Sequence, residues 1–355
     1  LGAHHALGES ALRSLGLHAC LARAASLAPA AVALAAIAPA PAAAEAIIDM
    51  HLHAIPADSQ GPPPVFVCAP YDAMPSRDTR WSGEEFAMKT FKDKPNCAHP
   101  VLSSKDDAAL RDETLAALRR YDIVAVTSGP PDLVAAWRQA DPKRILPAIY
   151  IDMADPPPID ALRALHAAGR MVVLGEIGAQ YEGLGPNDPR LEPYWALAEE
   201  LDIPAAIHIG PGPPGAAYLG AIKYRASLSD PLLLEDVLVR HPKLRLYVMH
   251  AGWPNADRMI ALLYAHPQVY VDTAVIDFTQ PRAEFHRYLR RLVEAGYGKR
   301  IMFGSDQMVW PGAIGPAIEA ITSADFLTPA QKRDILHDNA ARFLRLDEKA
   351  PGVGR

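Results

Sequence analysis

From Ser104 onward the chain repeats one unit, an amphipathic helical stretch followed by a short apolar strand, and this alternation constrains the fold most strongly. Asp107–Arg120 carries Ala109, Leu110, Leu115 and Leu118 at helical spacing, and a β-branched run follows at 123–127. The couplet recurs as helix 131–140 with strand 145–152, helix 158–168 with strand 171–176, and helix 190–201 with strand 204–209. It continues as helix 231–241 with strand 244–250, helix 254–266 with strand 269–272, and helix 281–295 with strand 301–306. Ile47–His53 supplies one more strand ahead of them, which makes eight. Strands such as Met171-Val172-Val173-Leu174 are apolar on both faces, as parallel strands covered by helices are. Eight strands alternating with helices over about 250 residues predict an α/β fold, a single-domain (β/α)8 TIM barrel. The competitor, a doubly wound open sheet, calls for a glycine-rich turn after the first strand, which this chain lacks. A last amphipathic helix, 328–346, with Ile335, Ala340, Phe343 and Leu344 on its apolar side, is expected to close the barrel.

Barrels of this kind carry their chemistry at the C-terminal ends of the strands. Strand one ends in His51 and His53, which alternation places on one face, with Met50 and Leu52 on the other. Alone, such a pair reads equally well as two core histidines or as half a metal site. Strand four ends in Gly175-Glu176-Ile177-Gly178 and strand five in His208-Ile209-Gly210. Strand six ends in Met249-His250-Ala251-Gly252, and strand eight in Phe303-Gly304-Ser305-Asp306. Five strand ends therefore deliver four histidines, a glutamate and an aspartate to one rim. Several histidines with a carboxylate suit Zn²⁺, or Mn²⁺ or another first-row divalent ion, with a coordination position left for water.

This ordered set resembles the amidohydrolase superfamily, specifically its amidohydrolase-2 group, over about residues 47–346. The resemblance rests on Asp49-x-His51-x-His53, His208-x-Gly210, His250-Ala251-Gly252, Gly304-Ser305-Asp306 and Asn339-Ala340-x-Arg342-x-Leu344. It implies a distorted TIM barrel in which His51, His53, His208 and Asp306 are metal ligands and His250 is a catalytic or substrate-polarising histidine. The group includes metal-dependent hydrolases of amides and lactones and decarboxylases of aromatic or unsaturated acids. Some relatives place a bridging carboxylate at the end of strand four. Glu176 therefore stands either for a ligand to a second metal or for a hydrogen-bond partner behind a ligating histidine, and one ion or two are expected accordingly.

The leading expectation is hydrolysis of a small ester, lactone or amide, with Asp306 moving the proton and His250 stabilising the developing oxyanion. A decarboxylase on the same metal site is the first alternative. A noncatalytic periplasmic protein that holds a ligand through the metal is the second. Gln180, Tyr181, Arg225, Trp253 and Trp310 follow the relevant strands and are candidates to line the substrate pocket, and Arg80 could reach it from the long segment 54–104. That segment, rich in proline, reads as a lid-like loop after strand one. The remaining histidines are assigned no role in the site, and His241 and His266, each before a proline at a helix end, are expected to close their helices.

The N-terminal 44 residues place Arg13 and Arg23 ahead of an Ala/Leu-rich run and then small residues. That order is expected of a signal peptide on an exported, periplasmic protein, or else of a disordered leading segment. The run is shorter than the roughly 20 apolar residues of a membrane span and is broken by Pro29 and Pro39, so no span is expected in the mature chain. The barrel domain is then 45–346, followed by a tail, 347–355. Cys68 and Cys97, both in the 54–104 segment, are candidates for a disulfide in an oxidising compartment. With a formal net charge of -6 and no dense basic run, no nucleic-acid partner is expected by electrostatics, and a small molecule is. A homo-oligomer remains open.

Overall fold

The computed structural model describes residues 46–93 and 97–346, so the expected leader and tail lie outside the described residues. Among these, eight parallel strands form one sheet in sequential order. They are β1 Ile47–His53, β2 Ile123–Ser128, β3 Ile145–Ile151 and β4 Val173–Ile177, then β5 Ala205–His208, β6 Leu246–Met249, β7 Tyr270–Asp272 and β8 Ile301–Met302. The sheet curls until its last strand meets its first. Met50 N donates to Phe303 O at 2.9 Å, Asp306 N to His51 O at 2.7 Å and His53 N to Gln307 O at 2.9 Å. The result is a nearly closed TIM barrel.

Two apolar layers follow from the alternation along each strand. Val126, Ala148, Val173, Ala206, Tyr247 and Met302 face inward and pack with Ala340, Ala341 and Phe343 of the last helix, Asn339–Leu344. Their neighbours Ala125, Ile149, Leu174, Ile207 and Val248 belong to the larger core that also takes in the surrounding helices. The last helix thus plugs the base of the barrel, and the polar residues are left to the opposite end.

Strict alternation slips in β4, where Leu174 and Ile177 pair with Ala205 and Ile207, and in β1. Asp49 pairs with Ala125 but Leu52 pairs with Thr127, so three residues span what two span on β2. Met50 shares the inner cluster with Ile48, two residues before it, and the bulge turns Leu52 out to the larger core. The expectation that Met50 opposes the histidines is corrected by it.

The helices Asp107–Arg120 and Pro131–Ala140 have the expected bounds. Asp106 caps the first by accepting from Ala109 N at 2.8 Å. Two differences from the sequence reading have local causes. The helix Ile314–Thr322 carries Gly315 and Pro316, which mask its signal, yet proline is tolerated in a first turn, where its missing N–H is not needed. The expected single helix 328–346 is instead Pro329–Arg333, a turn of π-helix Asp334–Asp338, and Asn339–Leu344. Its widened turn gives the Ile335 carbonyl to Phe303 N at 2.8 Å, which ties it to the end of β8.

Segment 54–104 is more structured than its composition suggests. It contains an antiparallel pair of short strands, Phe66–Cys68 and Pro100–Leu102, a short helix Gly83–Ala87 with a Ser82/Glu85 capping box, and a Cys68–Cys97 disulfide. Tyr71 N bonds to Thr279 O, Ser104 N to Val309 O and Trp310 Nε1 to Val65 O, each at 3.0 Å. The segment is thereby fastened to the loops after β7 and β8. Among the described residues no helix is long and apolar enough to cross a membrane.

Candidate metal centre

The ends of β1, β4, β5 and β6, with the turn after β8, bring six buried side chains together. The Nε2 atoms of His51 and His53 lie 3.1 Å apart. Glu176 Oε2 is 3.3 Å from the first and 3.2 Å from the second. Asp306 Oδ1 is 3.4 Å and 3.1 Å from the same two atoms. The other oxygen of Glu176, Oε1, lies 2.7 Å from His208 Nδ1, and that nitrogen is 2.9 Å from His250 Nε2. Glu176 therefore spans two groups, one with His51, His53 and Asp306, the other with His208 and His250.

Local backbone geometry explains the short motifs. His250 and Asp306 have φ of 59° and 48°, left-handed conformations that are sparsely populated outside glycine and that concentrate at functional sites. Asp49 Oδ1 accepts from both His51 N and Ser305 N at 2.9 Å, which joins the β1 end to the turn bearing Asp306. Burial pushes this Asp49 carboxyl up to about 6. Two glycines are there for room. A Cβ on Gly304 would sit 2.9 Å from His51 Cβ, and one on Gly210 would sit 2.6 Å from His250 Cβ.

The centre is electrostatically polarised. Burial alone would neutralise Glu176, but hydrogen bonds with His208, His51 and His53 hold its carboxyl well below the usual range. Asp306 is likewise lowered, its burial outweighed by the charge of His51 and the bond to His53. Burial would lower His51 and His53, yet the facing carboxylates raise both. His250 goes the other way, pushed down to about 4 by burial and then by His208.

The donor set fits a divalent cation. His250 Nδ1 can only donate to Ala274 O, at 2.9 Å, so in the neutral ring Nε2 is an unprotonated lone pair. His53 Nδ1 is 3.0 Å from Ser128 Oγ, which leaves its Nε2 for the centre. Lone pairs of imidazole and carboxylate thus converge, with His51, His53 and Glu176 forming one group within ion-binding reach, Glu176, His208 and His250 a second, and His51, His250 and Asp306 a third that links them.

Beside this ring lies a cleft of about 690 Å³ that begins at Gly210 and is walled by Tyr218, Tyr224, Arg225, Ser229 and Trp253. The Tyr181 ring stands between the two, 5.0 Å from the His208 ring and 5.6 Å from that of Tyr224. Gln180 is buried behind it, its amide nitrogen 2.6 Å from Ser229 Oγ. Arg225 and Trp253 are thus at the cleft, but two other candidates are not. Trp310 is buried beneath the 54–104 segment with its indole N–H on Val65 O. Arg80 is 86% exposed and pairs with Asp78. Ser128 and Asp272, which contact the histidines from behind, are not singled out by the sequence. Their only signal was a place at a strand end, with no motif to single them out.

A family model described as amidohydrolase matches residues 48–346. No curated protein matches the chain. Among solved structures, an uncharacterised TIM-barrel protein from Bordetella bronchiseptica is 20% identical with a TM-score of 0.53, over 65% of this chain and 81% of that one. A 5-carboxyvanillate decarboxylase from Sphingomonas paucimobilis is 16% identical with a TM-score of 0.53, over 84% of this chain and 99% of that one. A 2,6-dihydroxybenzoate decarboxylase from Rhizobium is 17% identical with a TM-score of 0.52, over 85% and 99%. At such identities the likeness is one of fold.

Proposed function

The chain belongs to the amidohydrolase family, and from that premise we propose that it is a metal-dependent hydrolase of a small ester, lactone or amide. The observation that carries this reading is the Glu176 carboxylate, one oxygen within 3.3 Å of His51 and 3.2 Å of His53, the other 2.7 Å from His208. A carboxylate so placed suits two ions side by side, the arrangement that serves hydrolysis. His51, His53, Glu176 and Asp306 would hold one, and Glu176, His208 and His250 the other. Zn²⁺ matches the histidine-rich set, with Mn²⁺ next. Bound there, a divalent ion supplies Lewis acidity that polarises a carbonyl and makes water more acidic.

The protein's own groups do the rest. The anionic Asp306 carboxylate takes the proton of the attacking water and returns it to the leaving group. His250 would present the Nε2 lone pair to an ion. In the neutral ring, with Nδ1 donating to Ala274 O, Nε2 carries a lone pair, which supports a metal-holding role for His250 beside the oxyanion role expected from sequence. Tyr181 separates the ring from the cleft that takes the body of the substrate. The signal-like order of residues 1–44 and the Cys68–Cys97 bridge both support an exported location, in an oxidising compartment.

The test is a panel of lactones, esters, amides and aromatic acids assayed with the metal-loaded enzyme for acid release and for CO₂. Acid release without CO₂ supports hydrolysis. CO₂ release makes the protein a decarboxylase on the same centre, and tight ligand binding with no turnover makes it a binding protein.

A further inference from the structure

Asp272, the last residue of β7, is fully buried and lies behind the donor ring. Its Oδ1 accepts from the backbone N–H of His250 at 2.8 Å and of Ala274 at 3.1 Å. Its Oδ2 faces His51 Nδ1 at 3.3 Å, and neither atom has another hydrogen-bond partner among the described residues. His51 has two ring nitrogens, and Nε2 is already committed to the centre, close to His53, Glu176 and Asp306. A carboxylate at Nδ1 keeps the ring proton there, so that Nε2 presents a lone pair.

The same side chain reaches the second group. The turn of His250 is left-handed, and His250 N and Ala274 N share one carboxylate oxygen of Asp272. Ala274 in turn offers its carbonyl to His250 Nδ1. One buried carboxylate thereby governs a histidine from each of the two groups that Glu176 spans.

We infer that Asp272 is a positioning residue of the centre: it holds His51 as the Nδ1–H tautomer and sets the turn that aims His250 Nε2 into the ring. This rests on the reading of the ring as a metal site. Asp272→Asn separates the two duties. Its amide oxygen still accepts from His250 N and Ala274 N, but its NH₂ then confronts His51 Nδ1 and drives the ring proton onto Nε2. With the amide flipped, the NH₂ confronts the two backbone N–H groups instead.

Metal-stripped wild type and Asp272→Asn are titrated with Zn²⁺ alone by calorimetry, alongside thermal unfolding of both metal-free forms. The expected result is a wild type that binds Zn²⁺ and a variant that binds about 10- to 100-fold more weakly at the ion involving His51, with similar metal-free unfolding midpoints. Ring-nitrogen NMR of ¹⁵N-histidine-labelled, Zn²⁺-loaded wild type needs no variant, and decides the matter should Asp272→Asn not fold. It is expected to show His51 protonated on Nδ1. A wild type that binds no Zn²⁺ overturns the metal-site reading itself. A wild type that binds while the folded variant binds equally tightly, or a His51 ring protonated on Nε2, overturns the role of Asp272 and leaves the metal site standing.

Discussion

The donor ring takes His51, His53, Glu176, His208 and His250 from strand ends or the first residue beyond them, whereas the cleft beside it is walled by a proline- and glycine-rich loop, 210–226, and Trp253. In the ring the side chains are buried, and the outer nitrogens of His51, His53 and His250 face Asp272, Ser128 and Ala274 O. The cleft rim is looser, with Tyr218 and Ile222 59% and 71% exposed. It is held from outside by segment 54–104, through Arg77 over the Tyr218 ring at 4.7 Å and the Phe86 ring against Gly215. Strand ends hydrogen-bonded on both sides give the precision that chemistry needs, and a loop gives a surface that can differ without disturbing it. The difference teaches that bond breaking and substrate choice reside in separable parts of this molecule.

That separation can be broken or sharpened by mutation. The largest effect is expected in the ring. Asp306→Asn removes the proton acceptor while keeping the shape of the side chain, and kcat should fall by about 10²- to 10⁴-fold. Steady-state kinetics on whichever substrate the panel identifies measures it. Retained turnover would remove Asp306 from the mechanism and leave the ring with a holding role only.

In the segment that holds the cleft from outside, Cys68→Ser opens the bridge to Cys97 across a sequence separation of 29. In the loop-entropy view this should lower stability by roughly 3 to 4 kcal/mol. Denaturant unfolding measures the loss, and metal content per chain should stay at the wild-type value because no donor lies in the segment. Loss of metal together with stability would mean that ring and segment fold as one unit, and the contrast drawn above would fail.

What was legible in advance follows the same division. His51, His53, Glu176, His208, His250 and Asp306 announced themselves because helix–strand alternation assigns each to a strand end, and strand ends of a barrel meet at one rim. The bulge in β1 was not legible, since it comes from how Asp49–Leu52 pairs with β2 and not from the residues themselves. Asp272 and Ser128 were missed for a related reason. A lone acid or serine at a strand end becomes informative only when a histidine far from it in sequence is seen against it. The cleft depends on loops without periodicity, so Arg225 and Trp253 could be named but could not be told apart from Arg80 and Trp310.

In the cleft itself a smaller and differently shaped effect is expected. Trp253 is half-buried, lines the cleft and donates its indole N–H to Glu284 Oε1 at 3.2 Å. Trp253→Ala removes apolar wall from the substrate side, and KM should rise by about 10-fold with kcat kept within about threefold. An equal fall in kcat and kcat/KM would instead mean that this wall is felt only in the transition state, and selection and chemistry would no longer be separable.

The smallest effect concerns the two arginines that sequence alone could not rank. Arg225 is at the cleft, its Nη1 donating to Ile222 O at 2.8 Å and Tyr224 O at 2.7 Å. Arg80 is 86% exposed in segment 54–104, and its guanidinium is occupied by Asp78, two residues away, in a pair that solvent screens. Arg80→Ala should therefore change KM by less than about twofold, even for a substrate that carries a carboxylate, which a free guanidinium would bind in a bidentate pair. Measuring KM for carboxylate-bearing and neutral members of the panel with this variant tests the point. A rise confined to the carboxylate-bearing members would show that the segment closes further over the cleft during turnover and brings Arg80 to the substrate, which would join to the site the region that the structure holds apart from it.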